Sequence, residues 1–135
     1  MKKLFLSFAL LSMVAFSVPA SALAATNPGI KPGNFFYFFD TAFEQINLFF
    51  TFSPEKKVEK ALVYADERLA EAEAVAGDNN VEAVKTAITN YESNIALAAE
   101  KSKEVQDKEK AESLFTLIAD NTSKNQEVLS AVLVK

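Results

Sequence analysis

The chain has 135 residues, a net charge of −4 and 50% hydrophobic residues, with no cysteine and no histidine. Those absences exclude a disulfide scaffold, a lipid-anchored lipoprotein, and zinc or carboxylate-bridged metal sites that need His or Cys, and they remove the usual general base and pH switch. With Arg68 as its only arginine, the chain also lacks the clustered cations that nucleic-acid binding requires.

Residues 1–24 read as a signal peptide. Lys2 and Lys3 form a positive n-region, Leu4 to Val18 is an uncharged apolar run, and Pro19 ends it. Ala22-Leu23-Ala24 is a small-x-small cleavage site, so cleavage is expected between Ala24 and Ala25; the alternative is an uncleaved N-terminal membrane anchor. The run is short for a membrane span. The remainder carries 12 basic against 18 acidic residues, a net charge of −6, and the expected location is secreted, periplasmic or cell-envelope. Residues 25–34 hold two prolines and two glycines and read as a flexible linker.

Residues 35–52 contain eight of the chain's twelve phenylalanines. The polar residues Asp40, Glu44, Asn47 and Thr51 recur at spacings of 4, 3 and 4, which is one narrow polar stripe on an otherwise apolar helix. Ser53-Pro54-Glu55 starts the next helix: a serine cap, proline at the first helical position, and an acid at the positive end of the dipole. Its seam is Val58, Leu62, Ala65, Leu69, Ala72 and Ala76, with Gly77 expected as a left-handed cap and Asp78-Asn79-Asn80 as a turn. A third helix opens at Asn79 or Asn80, with Glu82 near capping-box position and a seam of Val84, Ile88, Tyr91, Ile95, Ala98, Ser102 and Val105. Gln106 and Asp107 read as a short connection. The last helix starts near Lys108. Its seam is Ala111, Leu114, Phe115 and Ile118, then Val128, Leu129, Val132 and Leu133, interrupted by Asn121, Thr122 and Asn125.

The expected fold is all-α: an antiparallel three-helix bundle with an additional N-terminal Phe-rich helix packed against it, all within residues 35–135. The seams are rich in alanine, which buries little area. Filling that deficit with the phenylalanines, at roughly 1.5–3 kcal/mol per buried ring, makes them the expected core, worth on the order of 12–24 kcal/mol.

The block Pro32-Gly33-Asn34-Phe35-Phe36-Tyr37-Phe38, the junction Phe50-Thr51-Phe52-Ser53-Pro54-Glu55-Lys56-Lys57 and the run Glu67-Arg68-Leu69-Ala70-Glu71-Ala72 are the distinctive motifs. On them the chain resembles a bacterial secreted or membrane-tethered helical domain, the domain of unknown function 5667 family. The resemblance spans roughly residues 32–132. It implies an exported α-helical domain and brings no catalytic residue, cofactor or substrate.

Three clusters are candidate sites. Phe35, Phe36, Phe38, Phe39, Phe43, Phe49 and Phe50 would contact a membrane interface or a protein partner if they face outward, with Lys31, Lys56, Lys57 and Lys60 beside them. Asp66, Glu67, Glu71 and Glu73 suggest a cation site, but one helix face offers too few oxygens for calcium, and a solvated acidic face is the stronger expectation. Asn121, Thr122 and Asn125 form either a buried polar contact or a drifting, part-exposed seam. No metal site or cofactor is expected. No nucleophile elbow, Ser-x-x-Lys pair or glycine-rich phosphate loop occurs, so no catalytic residue is assigned and no enzyme is expected. Two functions remain: an envelope module acting by binding or as a structural element, and a peripheral membrane-surface protein held by residues 35–52. The sequence does not set the oligomeric state.

Overall fold

The computed structural model describes residues 29–34 and 37–134. The expected signal peptide, the Ala24–Ala25 cleavage site, the first part of the linker, and Phe35 and Phe36 lie outside the described residues. Four helices follow in order: α1 (Tyr37–Phe49), α2 (Pro54–Ala76), α3 (Val81–Ser102) and α4 (Lys108–Leu133). There is no strand among the described residues.

Short polar side chains set the starts of three helices. The Lys56 amide donates to Ser53 Oγ at 3.3 Å, with Pro54 in the first turn of α2. The Ala83 amide donates to Asn80 Oδ1 at 3.1 Å to open α3. Asp107 does the same for α4, accepting from the Lys110 amide at 3.0 Å, so the residue read as plain connection is a cap. One expectation about a helix end is corrected. Gly77 is right-handed, at φ −67° and ψ −23°, and Asn79 takes the left-handed conformation at φ 54°. The turn places its strain two residues later than a glycine cap would, on a residue type that tolerates it.

α2 is the central helix and touches α1, α3 and α4. Its seam is buried throughout. Val58, Ala61 and Leu62 pack with Ala98, Val105, Leu114 and Ile118 at one end, and Ala72 and Ala76 pack with Ala87 and Val132 at the other. Leu69 and Tyr91 join the two across the middle. α3 therefore runs back along α2, and α4 returns in the direction of α2. Seven alanines are buried in this core: Ala61, Ala65, Ala72, Ala76, Ala83, Ala87 and Ala98. Small seam residues let helices approach closely, so a core of this composition needs no aromatic filler.

The described phenylalanines of residues 35–52 are accordingly not the core. Of α1 only Leu48 is buried. Phe38, Phe39, Phe43, Phe49 and Phe50 are all exposed.

Candidate functional site

The orientation of α1 follows from what α2 offers it. Along α2, Lys60, Tyr64, Arg68 and Glu71 recur at helical spacing on the flank beside the apolar seam. The polar stripe of α1 meets this flank head to tail. Lys60 Nζ donates to Asn47 Oδ1 at 2.5 Å and to Thr51 Oγ1 at 2.9 Å. Asn47 Nδ2 donates to the Tyr64 hydroxyl at 3.0 Å. Arg68 Nη2 donates to Glu44 Oε1 at 2.9 Å and lies 3.6 Å from Asp40 Oδ2. Tyr37 caps the row: its ring centroid is 5.3 Å from the Arg68 guanidinium carbon, and its hydroxyl accepts from Asn90 Nδ2 of α3 at 2.9 Å. Both faces of α1 are thereby assigned. The polar face closes on α2, and the phenylalanine face points away.

The centre of this interface is charged and buried. Arg68 is 1% exposed and Glu71 is 0% exposed. Glu71 Oε1 lies 2.9 Å from Arg68 Nη2, and Glu67 Oε2 lies 3.8 Å away on a half-exposed side chain. Burial raises the Glu71 carboxyl to about 8, outweighing the pull of Arg68, with Glu44 and Asp40 adding repulsion. Burial likewise raises Glu44 to about 7 against the attraction of Arg68, with Glu67 and Asp40 pushing it further up. Burial of the guanidinium works against its charge, yet Glu71 and Glu44 hold the Arg68 pKa above its ordinary value. Beside the cluster, a polar cavity of about 250 Å³ opens between α1, α2 and α3, lined by Thr41, Glu44, Gln45, Arg68, Asn90 and Asn94 among others.

Two further expectations change on this geometry. The acidic residues of α2 do not form one solvated face. Glu73 is exposed, but Glu71 is interior and Asp66 points to α4. Asp66 Oδ1 accepts from Asn121 Nδ2 at 2.9 Å and from Asn125 Nδ2 at 3.0 Å, and Asn125 is fully buried. The polar break in the last seam is therefore a buried contact across helices, with Thr122 turned back onto the Ile118 carbonyl of its own helix. Among the described residues, no group of three or more His, Cys, Asp or Glu side chains is placed to hold a metal ion.

The outer face of α1 gathers the described residues of the phenylalanine set: Phe38 is 70% exposed, Phe43 68% and Phe49 75%, with Phe39 and Phe50 beside them. Ile46 and Phe52 extend the same surface and were not singled out from the sequence. Their signal was there, since neither belongs to the polar stripe. This face carries no charge, because Asp40 and Glu44 are turned toward Arg68. Lys56 is exposed in the first turn of α2, Lys31 pairs with Asp78 at 3.5 Å beside the turn that follows α2, and Lys60 is directed inward to Asn47 and Thr51. No helix among the described residues is long and apolar enough to cross a membrane.

No curated protein and no solved structure matched the chain. The family model described as "Domain of unknown function (DUF5667)" matches residues 29–135, and the chain belongs to that family.

Proposed function

We propose that the protein is an exported, non-catalytic module of the cell envelope: a three-helix bundle of α2, α3 and α4 that carries α1 on its flank and rests on a membrane surface through the outer face of α1. The observation that carries this reading is the inversion of α1. A contiguous run of large apolar side chains lies outside, while every acid of the helix is turned inward to Arg68. An apolar patch of this extent marks an interaction site. A lipid surface suits it because the face is uncharged and the exposed Lys56 follows closely after α1 in the chain, where it would reach a headgroup phosphate. At roughly 1.5–3 kcal/mol per fully buried ring, partial burial of six or seven such side chains gives on the order of 5–10 kcal/mol, enough for reversible attachment. The signal peptide reading supplies the address, with a mature start at Ala25.

The test is co-sedimentation of the exported protein with zwitterionic vesicles and with vesicles containing anionic lipid. It is run beside Phe43→Ser/Phe49→Ser/Phe50→Ser, prepared identically. The wild type is expected in the pellet and the variant in the supernatant, both with full helical circular dichroism. A wild type that stays in the supernatant, or a variant that binds equally, overturns the reading. So does a vesicle-free wild-type dimer that the variant lacks, which would give the face to a second copy. N-terminal sequencing of the same preparation tests the Ala24–Ala25 cleavage.

A further inference from the structure

The interface that holds α1 is built from an excess of acid around a single base. Four carboxylates, Asp40 and Glu44 from α1 and Glu67 and Glu71 from α2, lie within 4 Å of one guanidinium nitrogen. One buried positive charge cannot balance them all. Desolvated like charges at such distances are relieved by taking up protons. The remaining groups facing the cluster add no positive charge: Tyr37 from α1, Tyr64 from α2, and the neutral Asn90 and Asn94 from α3. Lys60, the next cation along α2, is engaged with Asn47 and Thr51.

We propose that the Arg68 cluster is a proton-held latch: protonated carboxyls let α1 lie against α2, and their loss as pH rises releases the helix together with its aromatic face. The latch deepens the membrane-docking reading by supplying its regulation. Bundle and aromatic helix move as one body when latched. When unlatched they are joined through residues 50–53 and through the Lys31–Asp78 ion pair ahead of α1.

The sign follows from proton linkage. Glu44 and Glu71 bind protons more tightly in the latched state than the ordinary value of 4.5, so latching is strongest at acid pH. It weakens as pH rises above that ordinary value and levels off once pH has passed about 7 to 8, the values the two carboxyls take when α1 is docked. Each proton held only in the latched state weakens latching by up to about tenfold per pH unit in that window.

Amide hydrogen exchange on the exported protein, without lipid and corrected for intrinsic rates, reads the latch directly. Protection of α1 is expected to fall about tenfold or more from pH 6 to pH 9, while buried α3 amides such as Ala87 and Ala98 hold theirs. Glu44→Gln/Glu71→Gln, or Glu44→Gln alone if the double variant does not fold, is expected to keep α1 protected at pH 9. Equal protection of wild-type α1 at both pH values overturns the proposal, as does an undiminished fall in the variant. Because no vesicle is present, failure here is separate from failure of membrane binding.

Discussion

Replacing Arg68 with methionine keeps most of the side-chain length and removes the charge. The guanidinium is 1% exposed and lies 2.9 Å from both Glu44 on α1 and Glu71 on α2; at pH 6 burial already keeps the Glu71 carboxyl protonated, so what is lost is the charge-assisted contact between the helices and not a counter-charge. Loss of a buried hydrogen bond made by a charged group costs about 1.5–3 kcal/mol. In a domain of about 100 residues each kcal/mol lowers Tm by about 4–8 °C, so a loss of at least about 6 °C is expected. The contrast is Phe43→Ser, on a side chain that is 68% exposed, expected to lie within about 0.5 kcal/mol of wild type. Thermal unfolding followed by far-ultraviolet circular dichroism at pH 6 measures both. If Phe43→Ser proves the more damaging substitution, the rings are interior and the orientation of α1 argued above is wrong.

Other substitutions test other joints of the fold. Asn125→Ala removes a fully buried donor to Asp66 and is expected to cost about 1–3 kcal/mol in urea unfolding; combined with Asp66→Ala, the two losses should fall short of additive. Gly77→Ala should stabilise by about 0.4–1 kcal/mol, because Gly77 sits at φ −67° and an added Cβ meets the Ala74 carbonyl at an ordinary 3.6 Å. A left-handed cap at Gly77 would give the opposite sign in the same melt. Ser53→Ala removes the cap of α2 and should cost about 1 kcal/mol. Ala72→Leu inserts bulk at a fully buried position where α2 packs with α3 and α4 and should cost about 1–3 kcal/mol.

Much of this architecture is legible in the chain, and the part that is not has a definite physical cause. The α2 seam from Val58 to Ala76 is buried at every position that its spacing names. Ser53-Pro54 and Asn80 cap where capping chemistry says they should. Periodicity in α1 assigns residues to two faces but does not say which face turns inward. The hydrophobic rule chooses the phenylalanines, and it fails because the surface waiting on α2 is polar. The clue was a second stripe, Lys60, Tyr64, Arg68 and Glu71, complementary to Asp40, Glu44, Asn47 and Thr51 when the two helices are laid head to tail. A lone arginine beside Leu69 in an alanine-rich helix was its strongest mark. Spacing alone does not decide the burial of Asn125 for a related reason: whether a polar seam residue is buried depends on a partner, and Asp66 lies far away in sequence.

The central claim is that the aromatic face of α1 is outside the protein and enters lipid. The chain has no tryptophan, so Phe49→Trp places a single reporter on that face. Its fluorescence in buffer should have the red emission of a hydrated indole. On adding vesicles it should shift to the blue and be quenched by brominated acyl chains. Blue emission already in buffer would put the ring in the core, and red emission unchanged by vesicles would remove the membrane from the account.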